Sequence, residues 1–183
     1  NIETPRAIGA QIDFFDLTFE QGFRIDIDAL AARIQPDTRL VSITTPHNPT
    51  GVMLAESELR RLVEITAEKG CLLLVDETYR DMAYAALPPL VASLGSHVIS
   101  VASLSKTYGL PGIRLGWLVC QDATLMQTFL AAKEQIFICG SMLDEEVAAA
   151  MREVKIRGKR GIAHARSSDS VKQALRHGID LIY

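Results

Sequence analysis

The sequence predicts an α/β fold: a mostly parallel sheet with helices on both faces and one antiparallel strand after the loop that carries Lys106. Three observations carry this. Short apolar, β-branched runs at 40–44, 71–75 and 98–102 read as strands. Helical patterns alternate with them, which implies right-handed crossovers between parallel strands. The polar residues Asn48, Asp76, Ser103 and Lys106 fall where the runs stop, and ligands of parallel sheets collect at the carboxyl ends of strands.

In chain order, residues 11–17 read as a short strand and 26–34 as a helix entered through Asp residues. The run 40–44 stops at Thr45-Pro46-His47-Asn48-Pro49-Thr50-Gly51, where two prolines, an Asn and a Gly cannot continue a strand and make a loop. Residues 56–69 carry Leu59, Leu62, Val63, Thr66 and Ala67 at helical spacing and stop at Gly70, so they form an amphipathic crossover helix. The unbroken apolar run 71–75 reads as a strand buried on both faces and leads into Asp76-Glu77-Thr78-Tyr79. The run 98–102 leads into Ser103-Leu104-Ser105-Lys106. Residues 113–120 follow Lys106 too closely for a crossover helix, so they should return antiparallel. Residues 122–154 are helical in two pieces with a break near Cys139-Gly140.

The bulk numbers are those of a globular chain. At 183 residues, 48% hydrophobic and 22% charged, it suits one well-buried domain or one domain plus part of another. A net charge of −3 offers no electrostatic reason to expect nucleic acid. The basic cluster from Arg152 to Arg166 reads as a solvated helix face or connection. No apolar run approaches the roughly 20 residues that span a bilayer. Cys71, Cys120 and Cys139 are odd in number and lack metal-type spacing, so a disulfide framework and a zinc site are not indicated and a reducing, cytoplasmic setting is expected. A start at Asn-Ile-Glu-Thr-Pro without Met is read as a cut from something longer.

Taken singly, the polar residues have ordinary explanations. Asp76 can cap the next helix, Asn48 can form a turn, and Tyr79 can be a core aromatic with its hydroxyl at the surface. Lys106 can be a surface lysine, and Ser103 and Ser105 can bond their own backbone. Together, the stretches Thr45-Pro-His-Asn-Pro-Thr-Gly51, Val75-Asp-Glu-Thr-Tyr-Arg80 and Ser103-Leu-Ser-Lys-Thr-Tyr-Gly-Leu-Pro-Gly-Ile-Arg-Leu-Gly-Trp117 resemble the pyridoxal-phosphate-dependent aminotransferases of fold type I, classes I and II. The resemblance runs from Asn1 to at least about residue 154, with the segments in the family's order.

The resemblance implies pyridoxal 5'-phosphate as cofactor, with Lys106 holding its aldehyde as a Schiff base and then carrying the proton between the substrate's Cα and the cofactor. It implies Asp76 as the carboxylate at the ring nitrogen, with Glu77 the weaker candidate, and Asn48 and Tyr79 as donors to the phenolic oxygen. Arg114, with Ser103 and less surely Ser105, is implied for the phosphate, which favours hydroxyls and a forked cation. Gly109-Leu110-Pro111-Gly112 is the turn expected to bring Lys106 and Arg114 to one cofactor. A cis bond between Asn48 and Pro49 is implied too. The activity implied is amino-group transfer between an amino acid and a 2-oxo acid by a homodimer, without nucleic acid or membrane as partner. A lyase acting by C–S β-elimination on the same scaffold, or a non-catalytic sensor domain of a transcription regulator, stays open because fold does not fix reaction. Residues 1–150 would be part of the large cofactor-binding domain and 151–183 a connection toward the small one. The family's phosphate-binding helix start and stacking aromatic lie upstream of the region matched, and its carboxylate-binding arginine lies beyond Tyr183. The 183 residues alone are therefore expected to bind the cofactor poorly and not to transaminate.

Overall fold

The computed structural model describes residues 2–84 and 86–156 together with short strands at 162–163 and 181–182, with side chains described through residue 149. Helices α1 (Glu3–Ala7) and α2 (Ile27–Arg33) precede strand β1 (Leu40–Thr44). Helix α3 (Glu56–Glu68) crosses to β2 (Leu72–Asp76), and β3 (Val98–Ser103) and β4 (Gly116–Cys120) follow. Helices α4 (Ala123–Ile136) and α5 (Met142–Ile156) come next, then the parallel pair β5 (Ile162–Ala163) and β6 (Leu181–Ile182).

The four-stranded sheet has the order β1-β2-β3-β4. β1, β2 and β3 run parallel, and β4 returns antiparallel to β3, as the sequence leads one to expect. The register pairs Thr44 with Asp76 and Asp76 with Val101, so the carboxyl ends of three strands are level.

Local sequence explains the helices. Asp26 accepts a hydrogen bond from the Ala29 amide at 3.0 Å and caps α2. At the start of α3 the Glu58 carboxylate accepts from the Ala55 amide at 2.7 Å, which is half of a capping box because alanine has no side-chain acceptor. Gly70, at φ 70°, supplies the left-handed residue that ends α3. α4 is capped by Asp122, which accepts from the amides of Thr124 and Leu125. The interruption between α4 and α5 spans 137–141 and includes the expected break at Cys139-Gly140.

One sheet face holds the core. Val41 and Ile43 lie level with Leu73 and Val75, and Leu73 lies level with Val98. Leu30 of α2 and Leu59, Leu62 and Val63 of α3 belong to the same buried cluster. Leu59, Leu62 and Leu73 are wholly buried, and each such side chain contributes about 1.5–3 kcal/mol from burial.

Three expectations need correction. Residues 11–17 form no strand. Phe15 packs against the core, but the segment has no ladder partner among the described residues, and without one it is not a strand. The run 71–75 is not buried on both faces, because β2 alternates between half-buried and buried positions. α2 and α3 join the core of one face, whereas on the other Leu40 is 46% exposed and Leu72 and Leu74 are half-buried. Finally, the returning strand starts at Gly116, since Pro111–Ile113 form a 3-10 turn. Of the basic cluster, Arg152 and Lys155 fall within α5, while their side chains and Arg157, Lys159, Arg160 and Arg166 lie outside the described residues.

Candidate functional site

The level strand ends place three loops side by side: 45–51 after β1, 77–79 after β2 and 104–110 after β3. The ladder continues one bond past each strand pair. The Thr45 amide donates to the Asp76 carbonyl at 3.0 Å, and the Glu77 amide donates to the Val101 carbonyl at 2.8 Å.

Strand alternation separates the two neighbouring carboxylates. Asp76 falls in step with Leu72 and Leu74 on the half-covered face, and Glu77 with Leu73 and Val75 on the core side. Asp76 is half-buried, less enclosed than an apolar strand end suggests, and its Oδ1 accepts from the Thr78 amide at 2.9 Å. Among the described residues its Oδ2 has no hydrogen-bond partner. Glu77 is 3% exposed. Its Oε1 pairs with the Arg80 guanidinium at 3.0 Å, and its Oε2 accepts from the Val91 amide at 3.3 Å. Arg80 also donates to the carbonyls of Pro88 and Pro89. Glu77 is thus committed to structure, whereas Asp76 keeps one oxygen unengaged among the described residues.

In the first loop the Asn48 amide donates to the Tyr79 hydroxyl at 3.3 Å, which brings together the two groups expected at a phenolic oxygen. Both Thr45-Pro46 and Asn48-Pro49 are cis, the second as expected. His47 is used within its own turn, its Nδ1 lying 2.8 Å from Thr50 Oγ1.

In the third loop Lys106 is exposed, and among the described residues its amine has no hydrogen-bond or ion-pair partner. The loop is closed by backbone bonds from the Gly109 amide to the Lys106 carbonyl and from the Leu110 amide to the Leu104 carbonyl, each 3.0 Å. Gly109, at φ 65°, supplies a left-handed turn residue where the sequence expects a turn. Ser103 ends β3 and accepts from the Ser105 amide at 3.4 Å, the local bonding that both serines allow.

Arg114 is not on the returning strand. It stands in the turn before β4 at φ 57°, and its guanidinium donates to the Pro111 carbonyl at 3.0 Å. The 3-10 turn consumes the residues that the spacing assigns to a strand, so its chain direction differs from the expected one, while its remaining donors face no acceptor among the described residues. Gly116 sits level with Ser103, where a Cβ would meet the Ala102 carbonyl oxygen at 2.9 Å. Only glycine lets β4 approach there.

Sequence reasoning missed the ties between loops. Thr107 donates to the Thr78 carbonyl at 2.7 Å, and the Tyr108 hydroxyl bonds Asp81 at 2.6 Å. Tyr108 also stacks edge-on against Trp117. A small cleft lined by Glu77, Arg80, Asp81, Tyr108 and Trp117 also reaches Ser103, while Asp76, Asn48, Tyr79, Lys106 and Arg114 do not line it. The alternation in β2, carried one residue past its end, was the available signal for Glu77, and Arg80 follows it at helical spacing.

The donor set fits a pyridoxal phosphate. Among the described residues it offers an amine without a partner, a carboxylate oxygen without one, a paired amide and phenol, and a guanidinium with spare donors. All three cysteines are free of disulfides, and burial pushes the Cys71 thiol up from its ordinary value. Among the described residues no cluster of His, Cys, Asp and Glu can hold a metal ion.

Comparison with known proteins bears on the same residues. The family described as aminotransferase class I and II matches residues 2–181. The chain is 36% identical over 146 residues to a capreomycidine synthase from Streptomyces vinaceus, covering 78% of this chain and 37% of that protein. It is 32% identical over 136 residues to a probable N-succinyldiaminopimelate aminotransferase from Mycobacterium tuberculosis strain H37Rv, covering 72% of this chain and 34% of the relative. A PLP-dependent aminotransferase of known structure from Streptococcus suis superposes with a TM-score of 0.75 at 32% identity, over 85% of this chain and 42% of that one. The chain therefore spans well under half the length of each of these proteins.

Proposed function

The chain belongs to the class I and II aminotransferases, and on that premise we propose that the protein transfers an amino group between an amino acid and a 2-oxo acid, using pyridoxal 5'-phosphate held by Lys106. The observation that carries this is the meeting of Asn48 and Tyr79 beside the ends of β1 and β2, with Asp76 at the end of β2 and Lys106, without a partner among the described residues, on the loop after β3. Family members use this cofactor, which when bound supplies an electron sink for the pair left at the substrate's Cα.

The chain's residues divide the remaining work. Lys106 Nζ would hold the cofactor's aldehyde group and, once free, would carry the proton to and from the substrate's Cα. Asp76 Oδ2 would accept a hydrogen bond from the protonated ring nitrogen and, by staying ionised, would favour the cationic form of that nitrogen. The Asn48 amide and Tyr79 hydroxyl donate to the phenolic oxygen. Arg114 and the hydroxyl of Ser103 bind the phosphate, with Ser105 as a further donor. Arg114 has donors for this beyond the one given to the Pro111 carbonyl.

We also propose a homodimer and a cytoplasmic setting. The first rests on family resemblance, and the second on three unpaired cysteines. Among the described residues no helix is long and apolar enough to cross a membrane.

The test is product analysis of the full-length protein with PLP, amino donors and 2-oxo acid acceptors. Transamination makes one new amino acid for each 2-oxo acid formed. Ammonia release without a new amino acid would replace this reading with a lyase.

A further inference from the structure

The last ladder bond between β2 and β3, from the Glu77 amide to the Val101 carbonyl, lies five residues before Lys106. Beyond it the two chains part, and sheet register no longer fixes where the lysine stands relative to Asp76 and Tyr79. Two side-chain bonds span that gap. The Thr107 hydroxyl donates to the Thr78 carbonyl at 2.7 Å, and the Tyr108 hydroxyl reaches Asp81 at 2.6 Å. Both leave the chain just after Lys106; the first lands on Thr78, two residues after Asp76, and the second on Asp81 in the 3-10 turn Arg80–Met82 that follows. The first is half-buried and the second exposed, so Thr107 is the tether that water competes with less.

We infer that Thr107 is a positioning residue: its bond to the Thr78 carbonyl sets the Lys106 amine at its working distance from Asp76 and Tyr79. Thr78 stands between those two, so one bond ties the amine-bearing loop to the turn that carries both ring contacts. Among the described residues, no other donor serves the Thr78 carbonyl. Removing the hydroxyl therefore leaves that carbonyl without a protein partner and frees the peptide beside Lys106 to rotate. This inference rests on the proposed role of Lys106.

The experiment compares full-length wild type, Thr107→Val and Thr107→Ser after incubation with PLP. It reads the visible absorption band of bound PLP, its affinity, the rate of borohydride trapping at Lys106 and the melting temperature. Valine keeps the shape and removes the donor, while serine keeps the donor. Thr107→Val should shift the absorption band, slow trapping, and weaken PLP binding about three- to ten-fold, the span of one net hydrogen bond. Thr107→Ser should restore the wild-type band and trapping rate. A valine variant with wild-type band and trapping overturns the inference and leaves the proposed function standing. So does a serine variant as impaired as valine, which would make the role one of side-chain packing. A wild-type protein that binds no PLP at Lys106 overturns both.

Discussion

Exchanging one oxygen for nitrogen at Glu77 or at Asp76 should have opposite consequences, although the residues are neighbours. The Glu77 side chain is 2% exposed and its partner Arg80 20% exposed. Breaking a buried ion pair by removing one partner costs about 3–5 kcal/mol. Glu77→Gln keeps an acceptor for the Val91 amide, and Arg80 keeps the carbonyls of Pro88 and Pro89, so the loss should fall near about 2–3 kcal/mol. Asp76→Asn retains the oxygen that accepts from the Thr78 amide and sits half-exposed, so its stability should stay within about 0.5 kcal/mol of wild type. Its amide cannot keep a ring nitrogen protonated, so PLP-dependent turnover should fall by orders of magnitude. Equilibrium urea unfolding of the full-length protein reads the first effect as a lowered midpoint at unchanged slope. If Glu77→Gln unfolds at the wild-type midpoint while Asp76→Asn is strongly destabilised, the division of roles argued from strand alternation is wrong.

Further outcomes follow from single positions. Gly116→Ala would place a Cβ 2.9 Å from the Ala102 carbonyl oxygen; urea unfolding should show a loss of about 1–3 kcal/mol, while an unchanged midpoint would mean that β4 can draw back freely. Arg114→Gly relieves the left-handed backbone at φ 57° and should stabilise the fold by about 1 kcal/mol while weakening PLP binding in equilibrium dialysis, a separation of effects that a purely structural arginine would not give. For His97, which lies 2.9 Å from Thr66 Oγ1, burial lowers the pKa below the ordinary 6.5, opposed by its backbone bond to Val63. The unfolded chain then binds the proton more readily, so the site's contribution is fully present above the unfolded value and is lost as pH falls through the lowered folded value. Melting temperature should decline on acidification below pH 6.5, and His97→Gln should flatten that part of the profile.

The sheet was legible because its strands are short, apolar and closed by distinct loop chemistry. β1 and α3 lie where an apolar, β-branched run and helical spacing put them, and the return of β4 followed from the brevity of the segment after Lys106. Residues 11–17 misled because a short strand-like segment does not name its neighbour, and among the described residues no strand pairs with it. The apolar run at β2 misled in another way, since composition does not say which face is covered. The candidate site was legible as residue types at strand ends, because parallel register brings those ends level. Its ties were not, since a Thr107 hydroxyl meeting a backbone carbonyl 29 residues away leaves no periodic mark. Arg114 shows the limit of counting, because a 3-10 turn uses three residues that an extended strand would have laid out straight.

The account stands most directly on Lys106. Borohydride reduction of the full-length protein with PLP bound, followed by peptide mapping, should find one phosphopyridoxyl group per chain, on the peptide that contains Lys106, and Lys106→Ala should abolish the label. A label on Lys69, Lys133 or any other lysine, or PLP bound tightly with no label at all, would contradict it.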